Sequence, residues 1–321
     1  MASEDFIPVS ADDWYQRRRQ DAEGEFFRQV AKQAGKDGGG QPSGGSTRQG
    51  IYCFTADGQL LAYKNAGQAP DVMRDVLKQA LARFGKLPED KLKPDAIKIE
   101  DPRNIDAAYT RTPPAGGLIV NVHARILDKN DQKEWCRGTC KAAGGELASR
   151  DHMWLTAAEW KSLVPAEPEV GQKFPLPPAI AQRLVRFHLI DNTRGEPPMW
   201  QPQEVRTAEL TLAVTEVNAN ALLMRLDGPV LLTNKADAAQ AERGFDARLL
   251  GYIGYDRVKQ AIDRFDVVAV GDHWGNGANT RDPRPGRMPL GIAFELATGN
   301  KPADQIPPQA ARDLSYFKTG R

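Results

Sequence analysis

From Thr207 onward the apolar residues of this chain fall at every second position. That alternation restricts the second half of the sequence to strands buried on one face. The spacing predicts strands over 208–217, 221–226, 230–233, 245–255, 261–270 and 290–296. Asn218-Ala219-Asn220 and Asp227-Gly228 read as turns between them. Successive strands with short connections fold as an antiparallel meander, closed or half-closed into a barrel or sandwich. The stretch 271–287 is a longer connection, rich in Gly, Pro and Asn, and it holds His273 beside Trp274.

Ahead of the meander the pattern is mixed. In 117–127, Leu118, Val120, Val122, Ala124 and Ile126 lie on one face of a strand, so His123 shares the other face with Asn121 and Arg125. Residues 129–150 read as a long loop. Thr156-Ala157-Ala158-Glu159 has the form of a capping box, in which each end of the motif satisfies the other's free amide, and it predicts a short helix. Pro177-Pro178 introduces a second helix over 179–188, with Ile180, Leu184, Val185 and Phe187 on its apolar face.

The first ninety residues read as helix 12–33, a Gly-rich loop 35–46, strand 50–55, an Asp57-Gly58 turn, strand 60–64 and helix 70–84. The run Arg17-Arg18-Arg19, followed by Asp21, Glu23 and Glu25, reads as a solvated helix face. The strand–turn–strand–helix order over 48–84 resembles the second half of the thioredoxin-like fold. No Cys-x-x-Cys opens the preceding helix, and Thr47-Arg48 stands where such folds often carry a cis-proline. The resemblance therefore implies a fold more than a redox activity. The whole chain also resembles uncharacterised bacterial two-domain proteins that join such a segment to a β-rich domain. The expectation is an α+β protein: an incomplete thioredoxin-like domain over 1–90, a connector over 91–116, and a β-rich domain over 117–321 carrying the cysteine loop and two short helices.

The 321 residues carry a net charge of +1, which gives no basic surplus for nucleic acid. No apolar run approaches the roughly 20 residues that span a bilayer. Met1-Ala-Ser-Glu-Asp5 has neither a basic nor an apolar leader region, which leaves a cytoplasmic protein or, with slight preference, a mature extracytoplasmic form. The Gly-rich loop lacks the Gly-Lys-Ser/Thr of a phosphate loop. Neither a Gly-x-Ser-x-Gly elbow nor His-Glu-x-x-His occurs.

The remaining candidates are soft ligands. Only three cysteines and four histidines occur. Cys136 and Cys140 are separated by three residues, and His152 follows. Thiolates with an imidazole suit copper or zinc, and His123, His188 or His273 are available to complete a shell from distant segments. The spacing resembles the Cys-x3-Cys of copper-delivery and copper-electron-transfer proteins. The same pair suits a disulfide that pins the loop, two idle thiols, or, with a lowered thiol pKa, a thiol oxidoreductase. Two function classes follow: a soft-metal protein, which includes a redox enzyme, or a non-catalytic ligand- or protein-binding module with a Cys136–Cys140 bridge. Cys53, between Tyr52 and Phe54, reads as buried and inert. His188 reads as a helix-end imidazole paired with Asp191, and His273 as a loop residue packed on Trp274.

Overall fold

The computed structural model describes residues 4–9, 11–34, 50–65, 69–92, 104–128, 134, 148–277, 280, 286–299, 301–313 and 315–318. Residues through Arg111 form one compact unit and those from Thr112 a second.

In the first unit the predicted helix 12–33 is two helices, α1 (Asp13–Gln16) and α2 (Ala22–Gln33). The break is made by Asp21, which accepts from the Gly24 N–H at 3.0 Å and binds Arg19 Nη2 at 2.6 Å. Arg19 is therefore buried, where the arginine run predicts a solvated face. A side chain at residue 24 would place its Cβ 2.4 Å from the Arg19 carbonyl oxygen, so only glycine lets α2 start here. Strands β1 (Gly50–Phe54) and β2 (Leu60–Asn65) form the expected hairpin, with Gly58 at φ +83° in its turn. Helices α3 (Pro70–Phe84) and α4 (Glu89–Leu92) follow. The small core joins Cys53, Leu61, Ala62, Val76 and Ala80. The Cys53 thiol is free, and burial pushes its pKa up, as an inert core cysteine requires.

The second unit is built on one antiparallel sheet. Its elements are β3 (Leu118–Ile126), β4 (Ala148–Leu155), α5 (Ala157–Lys161), β5 (Lys173–Pro175), α6 (Pro178–Arg183), β6 (Val205–Ala208), β7 (Thr211–Val217), β8 (Ala221–Thr233), β9 (Gly244–Asp256), β10 (Ala261–Trp274) and β11 (Met288–Leu296). The strand order is β4-β3-β11-β10-β9-β8-β7-β5, with β6 on the free half of β8. Eight strands about 4.8 Å apart make a flat width of roughly 34 Å, while one helix is about 10 Å across. Yet inner residues of every strand from β3 to β11 except β5 and β6 join one core with Ile180, Leu184, Val185 and Leu189. The sheet must curl around that helix to bury them together.

The sheet does not close, so neither the expected barrel nor a sandwich forms. Its two edges are managed differently. β5 has only three residues and ends in Pro175. β4 is covered by the chain's last turns, Pro302–Gln305, Gln309–Arg312 and Tyr316–Lys318. Among the described residues no helix is long and apolar enough to cross a membrane.

Three local differences from the sequence expectation have physical causes. Residues 221–233 are one strand, not two, because the interruption belongs to the neighbour. β6 and β7 share the same edge of β8, and Gly228 lies where their junction crosses; a Cβ at residue 228 would lie only 2.1 Å from the Glu209 carbonyl oxygen. Strict alternation along the predicted strand 261–270 puts Asp263 and Asp266, three apart, on opposite faces; both face solvent, because a register shift between Ile262 and Arg264 reverses the alternation. The helix predicted over 179–188 is α-helical only to Arg183; Leu184–His188 is a π turn, fully buried.

Candidate ligand-binding site

Each predicted site residue has a definite place, except Cys136 and Cys140, which lie outside the described residues. His123 sits on the outer face of β3, opposite Arg150. His152 lies on β4 opposite Asn121, buried, with its Nε2 lacking any hydrogen-bond partner. Burial, then the charge of Arg150, lowers its pKa. His273 is in strand β10 and not in a loop, and its ring meets Phe245 at 6.0 Å. Among the described residues no group of three His, Cys, Asp or Glu side chains stands ready to hold a metal ion.

His188 differs most from expectation. Its Nε2 is 2.8 Å from the Tyr316 hydroxyl, and its Nδ1 is 3.8 Å from Asp151 Oδ2, too far for a hydrogen bond. Asp191 instead accepts from Thr193 and from Arg194 Nη2 at 2.7 Å. Burial, with Arg183 and His152 nearby, pushes the His188 pKa down to about 3, the reverse of a helix-end effect. Burial likewise raises Asp151 to about 6, against the Gln309 N–H that it accepts. Tyr316 completes the cluster by accepting from the Trp154 N–H at 3.2 Å. The Asp151–His188–Tyr316 line resembles a catalytic relay in composition, but it is sealed: His188 and Tyr316 are 2% and 1% exposed. It ties the C-terminal turns to β4 and the π turn.

An unpaired buried charge beside a cavity lies elsewhere, where residue 243 enters β9. The Arg243 guanidinium stacks 3.7 Å from the centre of the Trp200 ring. Trp200 is held rigidly: its N–H donates to the Arg186 carbonyl at 3.0 Å, its Nε1 donates to the Leu189 carbonyl at 2.8 Å, and its own carbonyl accepts from Arg186 Nε. The Arg243 backbone is fixed by Asn234, whose Oδ1 accepts from the Arg243 N–H at 3.1 Å while its own N–H donates to the Arg243 carbonyl. Although Arg243 is 6% exposed, its Nε and Nη2 have no hydrogen-bond partner. Burial lowers its pKa, and Glu204 opposes that only through space.

Arg243 lines a cavity of 360 Å³. The same wall holds the carboxylates Glu204 and Glu242, the carboxamides Gln201, Asn234 and Asn276, and the apolar Pro198 and Met199. Other cavities among the described residues include one of 550 Å³ beside Trp160 and Tyr255, and one of 320 Å³ between Pro198 and Ala310. Neither is lined by a buried polar atom without a partner.

No protein-family model and no solved structure matches this chain.

Sequence reasoning did not find Arg243, Trp200 or Glu204. Pro197-Pro198-Met199-Trp200 and the Arg243-Gly244 step before a strand are visible in the sequence, but no spacing motif joins them.

Proposed function

We propose that the protein is a non-catalytic binding module whose second unit takes a small organic anion on Arg243. The observation that carries this is a buried guanidinium with two unpartnered nitrogens in the wall of a cavity. A buried charge without a partner costs several kcal/mol, and a ligand that supplies the counter-charge removes that penalty. The stacked guanidinium has the planar fork that matches a carboxylate. Among the described residues the lining contains no His, Cys, Ser or Thr, which favours binding over nucleophilic catalysis.

Arg243→Met tests this in two ways. It should abolish saturable binding of carboxylates such as acetate in calorimetry. Without ligand it should leave the melting temperature unchanged or higher, because methionine keeps the packing and removes the unpaired charge. A loss of more than about 2 kcal/mol in the unliganded protein would make Arg243 a structural tie and end the proposal.

A second reading, a copper or zinc protein using Cys136, Cys140 and His152, has one specific support. His152 Nε2 and Asp304 Oδ2 are both buried without partners, and the segment bearing the cysteines joins the ends of β3 and β4. Elemental analysis of protein purified without added metal should then give near-stoichiometric copper or zinc, lost in His152→Ala. Sub-stoichiometric amounts of both metals would exclude it. We also propose a partial thioredoxin-like fold over 48–84, supported by the β1–β2–α3 order.

A further inference from the structure

We propose that the anion held by Arg243 is the carboxylate of a zwitterion, namely an amino acid or the free C-terminus of a short peptide, whose amino group lies toward Glu204 and Glu242. This rests on the anion-binding proposal above and deepens it.

The charges of the wall carry the inference. One cation, Arg243, shares the cavity with two carboxylates. Glu242 is bound at 2.6 Å by Lys235. Glu204 uses one oxygen, Oε2, to accept from the Gln201 N–H at 2.8 Å. With Glu242 already paired to Lys235, a phosphate or dicarboxylate would still bring two negative charges to the one guanidinium of the wall and face Glu204. A lone carboxylate satisfies the guanidinium fork, and an ammonium on the same molecule turns the glutamates from repulsive to attractive.

The neutral groups fit the same class. Asn234 Oδ1 is occupied by the Arg243 N–H, so its amide NH₂ remains as a donor in the same wall. The Glu204 N–H donates to the Gln201 main-chain carbonyl at 2.9 Å, and the Gln201 carboxamide in the same wall offers an NH₂ as a second donor. Carboxylate oxygens and peptide carbonyls need such donors. Met199 offers an adaptable apolar wall for a side chain. The 360 Å³ volume is near the lower end of ligand pockets, about 300–1,000 Å³, which suits one or two residues.

The test is calorimetry of the full chain with four dipeptides ending in Ala, Leu, Phe and Lys, their N-acetyl derivatives, acetate and inorganic phosphate. At least one free dipeptide should bind about tenfold or more tightly than its N-acetyl form and than phosphate. Glu204→Gln, which retains an oxygen for the Gln201 N–H, should shrink that ratio to about threefold or less. Because the ratio is taken within one variant, partial misfolding does not alter it. Arg243→Met should abolish binding of every probe. If acetate or phosphate binds through Arg243 but no free dipeptide exceeds its N-acetyl form, the zwitterion is wrong and the anion site stands. If no probe binds, or Arg243→Met leaves binding intact, both proposals fail.

Discussion

Replacing Arg183 by methionine is expected to destabilise the second unit by about 3–5 kcal/mol, read as a lower urea midpoint for the transition that reports Trp154 and Trp160 fluorescence. Arg183 is fully buried, yet it is one of the best-partnered charges in the unit. Its Nε donates to the Tyr316 carbonyl at 3.1 Å, and its Nη1 donates to the Trp154 carbonyl at 3.0 Å and to the Glu159 carboxylate. The guanidinium also lies 4.9 Å from the centre of the Tyr316 ring. Methionine fills the space of the stem but supplies none of these donors. It strands the largely buried Glu159 carboxylate, which also accepts from the Thr156 N–H in the capping box of α5, and two backbone carbonyls. The loss therefore spreads to α5, β4 and the C-terminal turns at once. Arg183→Lys restores a charge but not a fork, and should recover only part of the stability. A cost below about 1 kcal/mol for the methionine variant would show that the edge of β4 is held mainly by apolar packing of Trp154, Phe187 and Ala311.

The same residues mark where the sequence was legible and where it was not. Strands such as β10 were visible because solvent lies on one face and core on the other, so Phe265, Val267 and Ala269 alternate with Asp266, Val268 and Val270. The capping box of α5 was visible because its two partners are three residues apart. β4 was not. Arg150-Asp151-His152 places polar residues on both faces of an edge strand, and the segment that shelters His152 and Trp154 comes from more than 150 residues later in the chain. His188 was assigned to Asp191 because sequence offers near neighbours first; its true neighbours, Asp151 and Tyr316, are supplied by the fold. The cavity around Arg243 draws on residues 198–204, 234, 242–243 and 276, and its signal is the lack of a partner. Such a lack exists only after folding has removed water, so no spacing rule can express it.

The buried Asp151–His188 pair predicts an unusual pH dependence. In the unfolded chain a proton leaves aspartate near 3.8 and histidine near 6.5. In the folded unit, burial moves Asp151 up to about 6 and His188 down to about 3. Between pH 4 and 6 both states therefore hold one proton, on His188 when unfolded and on Asp151 when folded. The two slopes cancel. Taken alone, His188 gives stability that is present above pH 6.5 and lost as pH falls toward 3. Asp151 alone gives stability that is present below pH 3.8 and lost as pH rises through about 6. Single substitutions uncover each slope. Asp151→Asn, which keeps an oxygen for the Gln309 N–H, should become more stable than wild type as pH rises from 4 to 6, by about 1.4 kcal/mol per unit. His188→Gln should show the opposite slope, losing about as much per unit over the same range. Each slope should survive removal of the other group, because burial and not mutual attraction is the leading cause of both shifts. Taking variant minus wild type cancels the titration of every other carboxylate, including Asp21, which Arg19 holds well below its ordinary pKa. Denaturant titrations at half-unit steps would decide the matter: two difference curves of the same sign, or both flat, would mean that burial does not move Asp151 up and His188 down.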